Sequence, residues 1–275
     1  MATVLYLSGF CNLRLNMMNS ENQWFRSRGY LHFDSPVKLR KACQIVKSPL
    51  NVAHHAFLPL ISYDIHSFKI SIDKDGNIQK KIKERPISYA SHIDSHIYSY
   101  YAELLSNVYE KALHKLQLKD SVLAFRSLGK SNIDFANTAF EKIKAHGDCT
   151  AIAMDISGFF DNLDHVILKS MWCKLLQENS LPDDHFNIYC SLTKSSTVNR
   201  DLLYAALKIS RNNPKSTGAR LCDIKTFRDK IRGLGLIKTN STGRGIPQGT
   251  SISALLSNIY MLDFDKKIKD RKSVV

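Results

Sequence analysis

Two stretches of the chain decide its fold, and the first is Met154-Asp-Ile-Ser-Gly-Phe-Phe-Asp-Asn-Leu-Asp-His165. Residues 149–156 are apolar apart from one acidic residue near the end, a pattern that predicts a short buried strand leading into a glycine turn. The carboxylate of Asp155 at the end of such a strand can hold a divalent cation, and the N–H groups of the turn can bind phosphate. Alternatively, Asp155 only ends the strand, and Asp161 or Asp164 caps the next helix.

The second stretch is Gly243-Arg-Gly-Ile-Pro-Gln-Gly-Thr-Ser-Ile-Ser-Ala-Leu-Leu-Ser-Asn-Ile-Tyr260. Its glycines allow the backbone to approach a ligand closely, and Gln248 offers both a hydrogen-bond donor and an acceptor. The apolar spacing after Ser251 predicts a helix, with one face formed by Ile252, Leu255, Leu256 and Ile259. A glycine-rich loop before an amphipathic helix is also common without any ligand.

Composition predicts a globular protein with a polyanionic partner. The 275 residues include 39 Lys and Arg against 25 Asp and Glu, and twelve of those basic residues but only three acidic ones lie in residues 191–244. Such a basic balance favours nucleic acid or an anionic membrane as the partner, although a solvated basic surface would look the same. The sequence has no apolar run long enough to span a membrane. Six widely spaced cysteines predict free thiols and a cytoplasmic location.

The remaining pattern predicts an α+β fold. Residues 67–88 alternate apolar and polar side chains around Asp75-Gly76, which indicates a basic β-hairpin. Ser91 is placed to cap a helix whose apolar face contains Ile93, Ile97, Tyr100, Tyr101, Leu104 and Val108. Further helices are expected over residues 132–145 and around residues 167–175. The two nearby histidines, His92 and His96, are expected to be ordinary helix residues because no third metal ligand is evident.

The two stretches together, in this order, resemble motifs A and B of reverse transcriptases. D-I-S-G-F-F-D-N-L-D-H from Asp155 is similar to motif A, and G-I-P-Q-G-T-S-I-S-A-L-L-S-N-I-Y from Gly245 is similar to motif B. The likeness is greatest to the bacterial enzymes of group II introns, retrons and phage-defence systems. Two upstream segments agree with it: residues 83–98 resemble the fingers segment, and residues 121–131 resemble the F-R-x-G-x-S motif. The resemblance covers residues 68–265.

The resemblance implies a right-hand polymerase fold, with fingers and palm in this chain. It implies an RNA-directed DNA polymerase that adds dNTPs to a primer 3′-hydroxyl with two Mg²⁺ ions, or Mn²⁺. Asp155 and the Ile156 carbonyl would bind metal, and Phe160 would exclude a 2′-hydroxyl. The implied dNTP-binding residues are Arg85, Lys74, Gly158, Phe159, Phe160 and Gln248, with Lys69 or Lys83 as alternatives to Lys74. The implied nucleic-acid-binding residues are Arg126, Arg228, Lys230 and Arg232.

One departure from the family concerns motif C, the aromatic-x-Asp-Asp hairpin that supplies further metal ligands after motif B. The Asp183-Asp184 pair precedes motif B and lacks the aromatic residue, so it is interpreted as the start of a helix. Asp263 and Asp265 follow motif B too closely and are expected to face solvent. The sequence is therefore interpreted as the N-terminal part of a longer polymerase, or else as a truncated, inactive product; the fit of every motif up to B favours the first.

The expected organisation is an N-terminal extension over residues 1–20, fingers over 21–145 and palm over 146–275. The palm would hold a basic insertion over about 191–240, and this insertion most resembles the defence-associated, antiviral reverse transcriptases. The expected partners are an RNA template, in particular a structured non-coding RNA, together with dNTPs and a DNA product, and no membrane. The alternative is a polymerase-like RNA-binding module without catalysis. An aromatic-x-Asp-Asp box encoded soon after Val275 would favour the enzyme, and a stop codon would favour the module.

Overall fold

The computed structural model describes residues 22–72, 77–214 and 218–271. The extension expected over residues 1–20, and the candidate Lys74, lie outside these ranges. The described chain contains a mixed sheet of four strands together with helices, most of which pack against one another. The strands are β1 (Leu60–Ile72), β2 (Ile78–Tyr89), β3 (Ser196–Asn199) and β4 (Ile237–Thr239). The helices are α1 (Leu39–Val46), α2 (Pro49–Ala53), α3 (His92–Lys115), α4 (Asn132–His146), α5 (Phe159–Asn162), α6 (His165–Leu176), α7 (Asp183–Thr193), α8 (Arg200–Leu207), α9 (Ile224–Thr226), which continues as a π-helical turn (Phe227–Arg232), and α10 (Ser253–Arg271).

The predicted hairpin is confirmed, and it is longer than the sequence pattern indicated. Strands β1 and β2 pair antiparallel from Ile61↔Tyr89 at the base to Ile72↔Ile78 at the outer end. None of the described segments covers the outer half, where Ile72 and Ile78 are 71% and 75% exposed. The hairpin is therefore a two-stranded arm anchored at its base.

The base of the arm is held by strands that the sequence analysis did not predict. The sheet order is β2-β1-β3-β4, in which β3 runs parallel to β1 and β4 runs antiparallel to β3. Both added strands come from the basic segment 191–244. They have only four and three residues, which is too short for an alternating pattern to stand out.

Helix α3 is the centre of the larger core. The Ser91 side chain caps it by accepting a hydrogen bond from the Asp94 backbone N–H at 3.2 Å, as predicted. The buried face differs from the predicted one, because Leu105 is completely buried whereas Leu104 is 39% exposed. Helices α6 and α10 pack against α3 and contribute to the same core, which includes Trp172 and Leu256.

A second, smaller core ties the basic segment to the rest of the chain. Its buried members come from three parts of the sequence: the stretch before α1, strand β1, and the segment from β3 to the π-helical turn. They are Leu31, Phe33, Ile61, Val198, Leu203, Tyr204, Ile209, Leu221 and Ile231. Both cores therefore take side chains from each side of the boundary at residue 145 that the sequence analysis drew between fingers and palm.

The strand predicted over residues 149–156 is not formed, and that prediction is wrong. Ile152 and Met154 are 64% and 56% exposed. A strand needs a neighbour to bind its backbone N–H and C=O groups, and no other segment of the described residues pairs with this one. Helix α4, which precedes it, is confirmed and is capped by Ser131 and Asp134, but it has no buried residue.

The combination of helices with a mixed sheet confirms the predicted α+β class. None of the helices within the described ranges is both long and apolar enough to cross a membrane. The cysteines that the structure describes are free thiols: Cys43, Cys149, Cys173, Cys190 and Cys222.

The second core predicts that the basic segment folds together with the rest of the protein. Replacing the buried Ile231 by Ala should lower the free energy of unfolding by about 2–4 kcal/mol, because it leaves a cavity. Replacing Ile224, which is 67% exposed, should change that free energy by about 0.5 kcal/mol or less. Guanidinium denaturation of both variants checks this, and equal midpoints would contradict the assignment of Ile231 to the core.

Candidate functional site

The two decisive sequence stretches lie against each other in the structure. The Gly245 N–H donates to the Leu163 carbonyl at 2.8 Å, and the Ile246 N–H donates to the Phe160 carbonyl at 2.9 Å. The His165 N–H in turn donates to the Gly243 carbonyl at 3.2 Å. The glycine-rich loop thus forms backbone hydrogen bonds along the Gly-Phe-Phe turn and α5.

Gly245 makes this contact possible because it has no side chain. Its φ is +80°, and a Cβ atom built there would lie 2.8 Å from the Asp161 carbonyl oxygen, closer than real Cβ atoms approach. The His165 ring is also within hydrogen-bond distance of the Gly245 carbonyl, at 2.7 Å between Nε2 and O. Both backbone polar groups of Gly245, its N–H and its C=O, therefore have partners in the segment around α5 and α6.

The same loop also contacts the base of the hairpin. The Ser88 N–H on β2 donates to the Gln248 carbonyl at 2.7 Å. A Cβ atom at Gly249 would lie 2.6 Å from the Ser88 carbonyl oxygen, so this position also requires glycine. Three segments therefore meet at the loop: the turn after Asp155, strand β2 and the start of α10.

Hydrogen bonds within the loop fix where α10 begins. The Ser253 hydroxyl donates to the Pro247 carbonyl at 2.6 Å, and the Thr250 and Ser253 hydroxyls are 2.5 Å apart. Helix α10 begins at Ser253, two residues after the predicted start. Ile252, Leu255, Leu256 and Ile259 are buried, as predicted.

Asp155 lies three residues before Gly158, in the segment that leads into the turn. It is exposed, as are Ile156 and Gly158, and the chain turns at Gly158 with φ +59°. Phe159 and Phe160 are half-buried, with ring centroids 5.9 Å apart, and both pack against the larger core. The Phe160 ring therefore has a fixed position at the edge of an exposed surface.

Of the carboxylates for which a capping role was considered, Asp164 has it. Its side chain accepts hydrogen bonds from the Val166 and Ile167 N–H groups at the start of α6, at 2.9 and 3.1 Å. Asp164 is thereby part of the helix rather than a free ligand. Asp155 and Asp161 are exposed.

Arg85 lies on β2 in register with Ile65 of β1. Successive side chains of a strand alternate between faces, so Arg85 shares its face of the sheet with Ile87, and a Cβ atom at Gly249 would lie 2.8 Å from the Ile87 Cγ2 atom. The glycine-rich loop therefore abuts the face of the arm that carries Arg85. Lys83 is exposed and pairs in register with Ser67.

The described residues do not by themselves make a complete Mg²⁺ site. They contain no group of three or more His, Cys, Asp or Glu side chains placed to hold a metal. Asp155 and the Ile156 carbonyl would supply only part of the coordination shell, since Mg²⁺ takes about six oxygen ligands. The chemistry of the donors fits Mg²⁺, but their number does not.

Two of the other acidic residues near the core, Asp184 and Asp263, have structural partners. Asp183 and Asp184 are in the first turn of α7, as the helix-start interpretation requires, and buried Asp184 accepts a hydrogen bond from the Tyr101 hydroxyl at 2.5 Å. Asp263 forms an ion pair with Lys174 at 2.6 Å. Asp265 is half-buried rather than solvent-facing, and this burial raises its pKa to about 6.

Arg126 is bound within the protein. Its guanidinium, whose side chain is only 5% exposed, forms two hydrogen bonds with the Glu110 carboxylate at 2.8 and 2.7 Å. It also donates to the carbonyls of Lys119 and Val122. The hydrogen bonds from Arg126 lower the pKa of the Glu110 carboxyl group. Arg126 therefore joins α3 to the following loop, and its contact with nucleic acid stays a prediction.

Arg228, Lys230 and Arg232 are exposed on the π-helical turn, with Ile231 buried between them. Arg228 and Arg232 are four residues apart, which places them on similar sides of a helical turn. The second core holds this turn in place, so the basic side chains project from a fixed surface.

The sequence analysis missed two clusters of polar side chains. One is the pair formed by His55 and the buried Asp94, 2.6 Å apart, next to a hydrogen bond from the Leu58 N–H to the other Asp94 oxygen. The other is a pocket lined by tyrosines from residues 30, 63, 89 and 204. Neither could be found from spacing, because their members are far apart in the chain.

His92 and His96 are buried, and they belong to no metal-holding group of the described residues.

Comparison with models of known protein families and with curated proteins finds no match for this chain. A functional assignment therefore depends on the sequence motifs and on how the fold brings them together.

The close approach at Gly245 predicts a stability difference between two neighbouring glycines. Gly245→Ala should lower the free energy of unfolding by about 2–4 kcal/mol, because the new Cβ strains the backbone and overpacks the turn. Gly243 is the matched control, since its φ of +72° is similar but nothing lies within 4 Å of its Cβ position; Gly243→Ala should cost about 1 kcal/mol. Equal losses in urea denaturation would show that the close approach contributes nothing.

Proposed function

We propose that this protein is a reverse transcriptase, an RNA-directed DNA polymerase of the bacterial defence type, and that the described residues form its fingers and palm. The observation that carries the proposal is the convergence of the three segments. The motif A turn, the motif B loop and strand β2 are joined by backbone hydrogen bonds of 2.7–3.2 Å. These are the segments that the resemblance independently assigns to one dNTP site.

Each side chain of this junction has a role in the proposal. Arg85, on the face of the arm next to the loop, binds the triphosphate with its fixed guanidinium fork. The N–H groups from Gly158 to Phe160 bind phosphate oxygens, and Gln248 contacts the incoming nucleotide. The Phe160 ring, held by the core at the edge of the exposed surface, lies against the sugar and excludes a 2′-hydroxyl.

Mg²⁺ is the proposed cofactor, with Asp155 and the Ile156 carbonyl as its ligands from this part of the chain. In two-metal sites the ions stabilise the attacking and the leaving oxygen of the displacement. The further carboxylates that such a site needs are not among the described residues. The described residues are therefore proposed to bind the nucleotide, orient it and select its sugar.

The proposed template is RNA, and in the defence setting a structured non-coding RNA. The net charge of +14 favours a polyanion. The basic segment is folded onto the hairpin base through β3 and β4, so its positive side chains are close in the fold to the strand that carries Arg85. A DNA product is expected to leave along the same surface. We propose a cytoplasmic location, on the basis of the wide spacing of the cysteines.

A polymerase-like RNA-binding module without catalysis is the second candidate. The observation in its favour is the lack of a metal-holding group among the described residues. The two candidates share the RNA-binding surface and differ in whether dNTPs are incorporated. Primer extension therefore separates them.

Asp155→Asn tests the proposed function. In primer extension by the complete protein, with an RNA template, dNTPs and Mg²⁺, the wild type should incorporate nucleotides and the variant should lose at least about 100-fold in rate, because several kcal/mol of charge stabilisation by the metals is lost. Asp148→Asn is the matched control, since Asp148 is an exposed carboxylate seven residues earlier, and it should keep full activity. Undiminished incorporation by Asp155→Asn would contradict the polymerase proposal, and RNA binding without incorporation by wild type would favour the module.

The basic turn predicts how RNA affinity depends on salt. Replacing Arg228, Lys230 and Arg232 together by Ala should weaken RNA binding and flatten the log–log salt dependence by roughly two units, because fewer counterions are released. The control with the same charge change replaces the exposed Arg40, Lys41 and Lys47 at α1. Filter binding over a salt series is the measurement. If both triple variants have the same slope, the turn acts only through bulk charge.

A further inference from the structure

A pocket of about 320 Å³ lies at the base of the hairpin, between the arm and the basic segment. Tyr63 of β1 and Tyr89 of β2 form its floor, since their register positions place them on one face of the sheet. Tyr30, from the stretch before α1, and Tyr204 and Arg200 of α8 form its walls. Three parts of the chain that are far apart in sequence therefore build one aromatic site.

The tyrosine rings are arranged around the pocket rather than stacked on one another. The Tyr30 and Tyr89 ring centroids are 4.8 Å apart with planes inclined by 58°, and those of Tyr63 and Tyr89 are 6.1 Å apart and inclined by 65°. One face of the Tyr30 ring is stacked on His92, with ring centroids 5.3 Å apart, so a flat ligand would stack on the remaining faces of these inclined rings. The Tyr30 hydroxyl donates to the Ala90 carbonyl at 2.9 Å, which fixes one wall.

The pocket has a cationic side. The Arg200 guanidinium lies 4.4 Å from the centre of the Tyr63 ring, an arrangement in which it is held by the ring and keeps donors free. The neighbouring Asp201 carboxylate is shared between two arginines. Its oxygens lie 3.7 Å from Arg200 Nε and 3.1 Å from Arg211 Nη2. Two arginines against one carboxylate leave positive charge at the mouth of the pocket.

Tyr30 and Tyr89 remain uncharged at neutral pH. Burial raises the pKa of Tyr30 and of Tyr89 above the ordinary value of a phenol. The pocket therefore combines neutral aromatic faces with a permanent cation. A ligand that satisfies both is flat on one side and anionic on the other.

We propose that this pocket binds an unpaired nucleobase, stacked on the tyrosines, with its phosphate at Arg200. Base–aromatic stacking next to a positive groove is how proteins hold single strands without a sequence preference, and the volume is at the lower end of ligand pockets, as a single base requires. Arg85 lies on the same face of the sheet, four register pairs further toward the tip than Tyr89, and none of the described dNTP-binding candidates lines the pocket. The pocket is thus distinct from the proposed dNTP site, and its occupation does not depend on the polymerase proposal, because stacking requires neither metal nor catalysis.

Photo-cross-linking tests the proposal directly. Wild-type protein in EDTA is irradiated with a short single-stranded RNA that carries 5-iodouracil, and the adducts are mapped by mass spectrometry. A parallel sample contains 5-iodouridine monophosphate, which distinguishes a strand from a free nucleotide as the source of the base. Adducts on Tyr30, Tyr63, Tyr89 or Tyr204 with either probe support the proposal, whereas adducts only elsewhere, or none, overturn it.

Affinity measurements with matched variants provide the second arm. Arg200→Gln and Tyr63→Leu should each weaken binding of the probe that cross-links by about 5- to 100-fold. Arg40→Gln makes the same charge change on exposed α1, and Phe186→Leu removes an exposed ring that also lies under a cation, with Lys169 Nζ 5.0 Å away; both should bind as wild type does. Pocket variants that bind as well as these controls would overturn the proposal. Circular dichroism verifies folding, and the wild-type cross-link decides the matter even if one variant misfolds.

A negative result here can be told apart from failure of the proposed polymerase. Neither the cross-link nor the affinity is measured with a primer or a metal. If the pocket does not bind a nucleobase, primer extension by the wild-type protein is still expected. Lack of incorporation would, in the same way, leave the cross-links to the tyrosines unchanged.

Discussion

The backbone contacts of the glycine-rich loop are the constraint on which the rest of the site depends. This loop is hydrogen-bonded to the α5 turn on one side and to strand β2 on the other. Both contacts are close enough to exclude a side chain at Gly245 and at Gly249. Backbone hydrogen bonds in such tight packing hold their partners without relying on long, flexible side chains. Asp155, Phe160 and Arg85 consequently belong to one region although they are up to 75 residues apart.

The two cores hold different parts of the site in place. The larger core, around α3, α6 and α10, fixes the motif A turn and the start of the motif B helix. The smaller core attaches the basic segment to β1 and so to the base of the arm. The outer arm and the residues from α4 to Asp155 contribute little to either core. Ile152 and Met154, which directly precede the proposed metal ligand Asp155, are exposed. The position of Asp155 is therefore less constrained by packing than that of Phe160.

Much of the fold could be predicted from the sequence where the signal is local. The hairpin, the Ser91 cap, α4, α6 and the buried face of α10 follow from alternation, capping residues and helical spacing. The failures have physical causes. Residues 149–156 have the composition of a buried strand but no neighbour to pair with among the described residues, and β3 and β4 are too short to show a pattern. The ion pair between Arg126 and Glu110 joins residues that are 16 positions apart, which no spacing rule could indicate. The pocket around Tyr63 and Arg200 depends on contacts between distant segments.

The proposed dNTP site consists of the motif A turn, the motif B loop and strand β2. Affinity labelling with a dNTP that carries a photoreactive group on its γ-phosphate, followed by peptide mapping, tests this site directly. We expect saturable labelling of the peptides that contain Arg85, Phe160 and Gln248, with competition by unlabelled dNTP. Labelling that is confined to the basic segment, or that does not saturate, would contradict it.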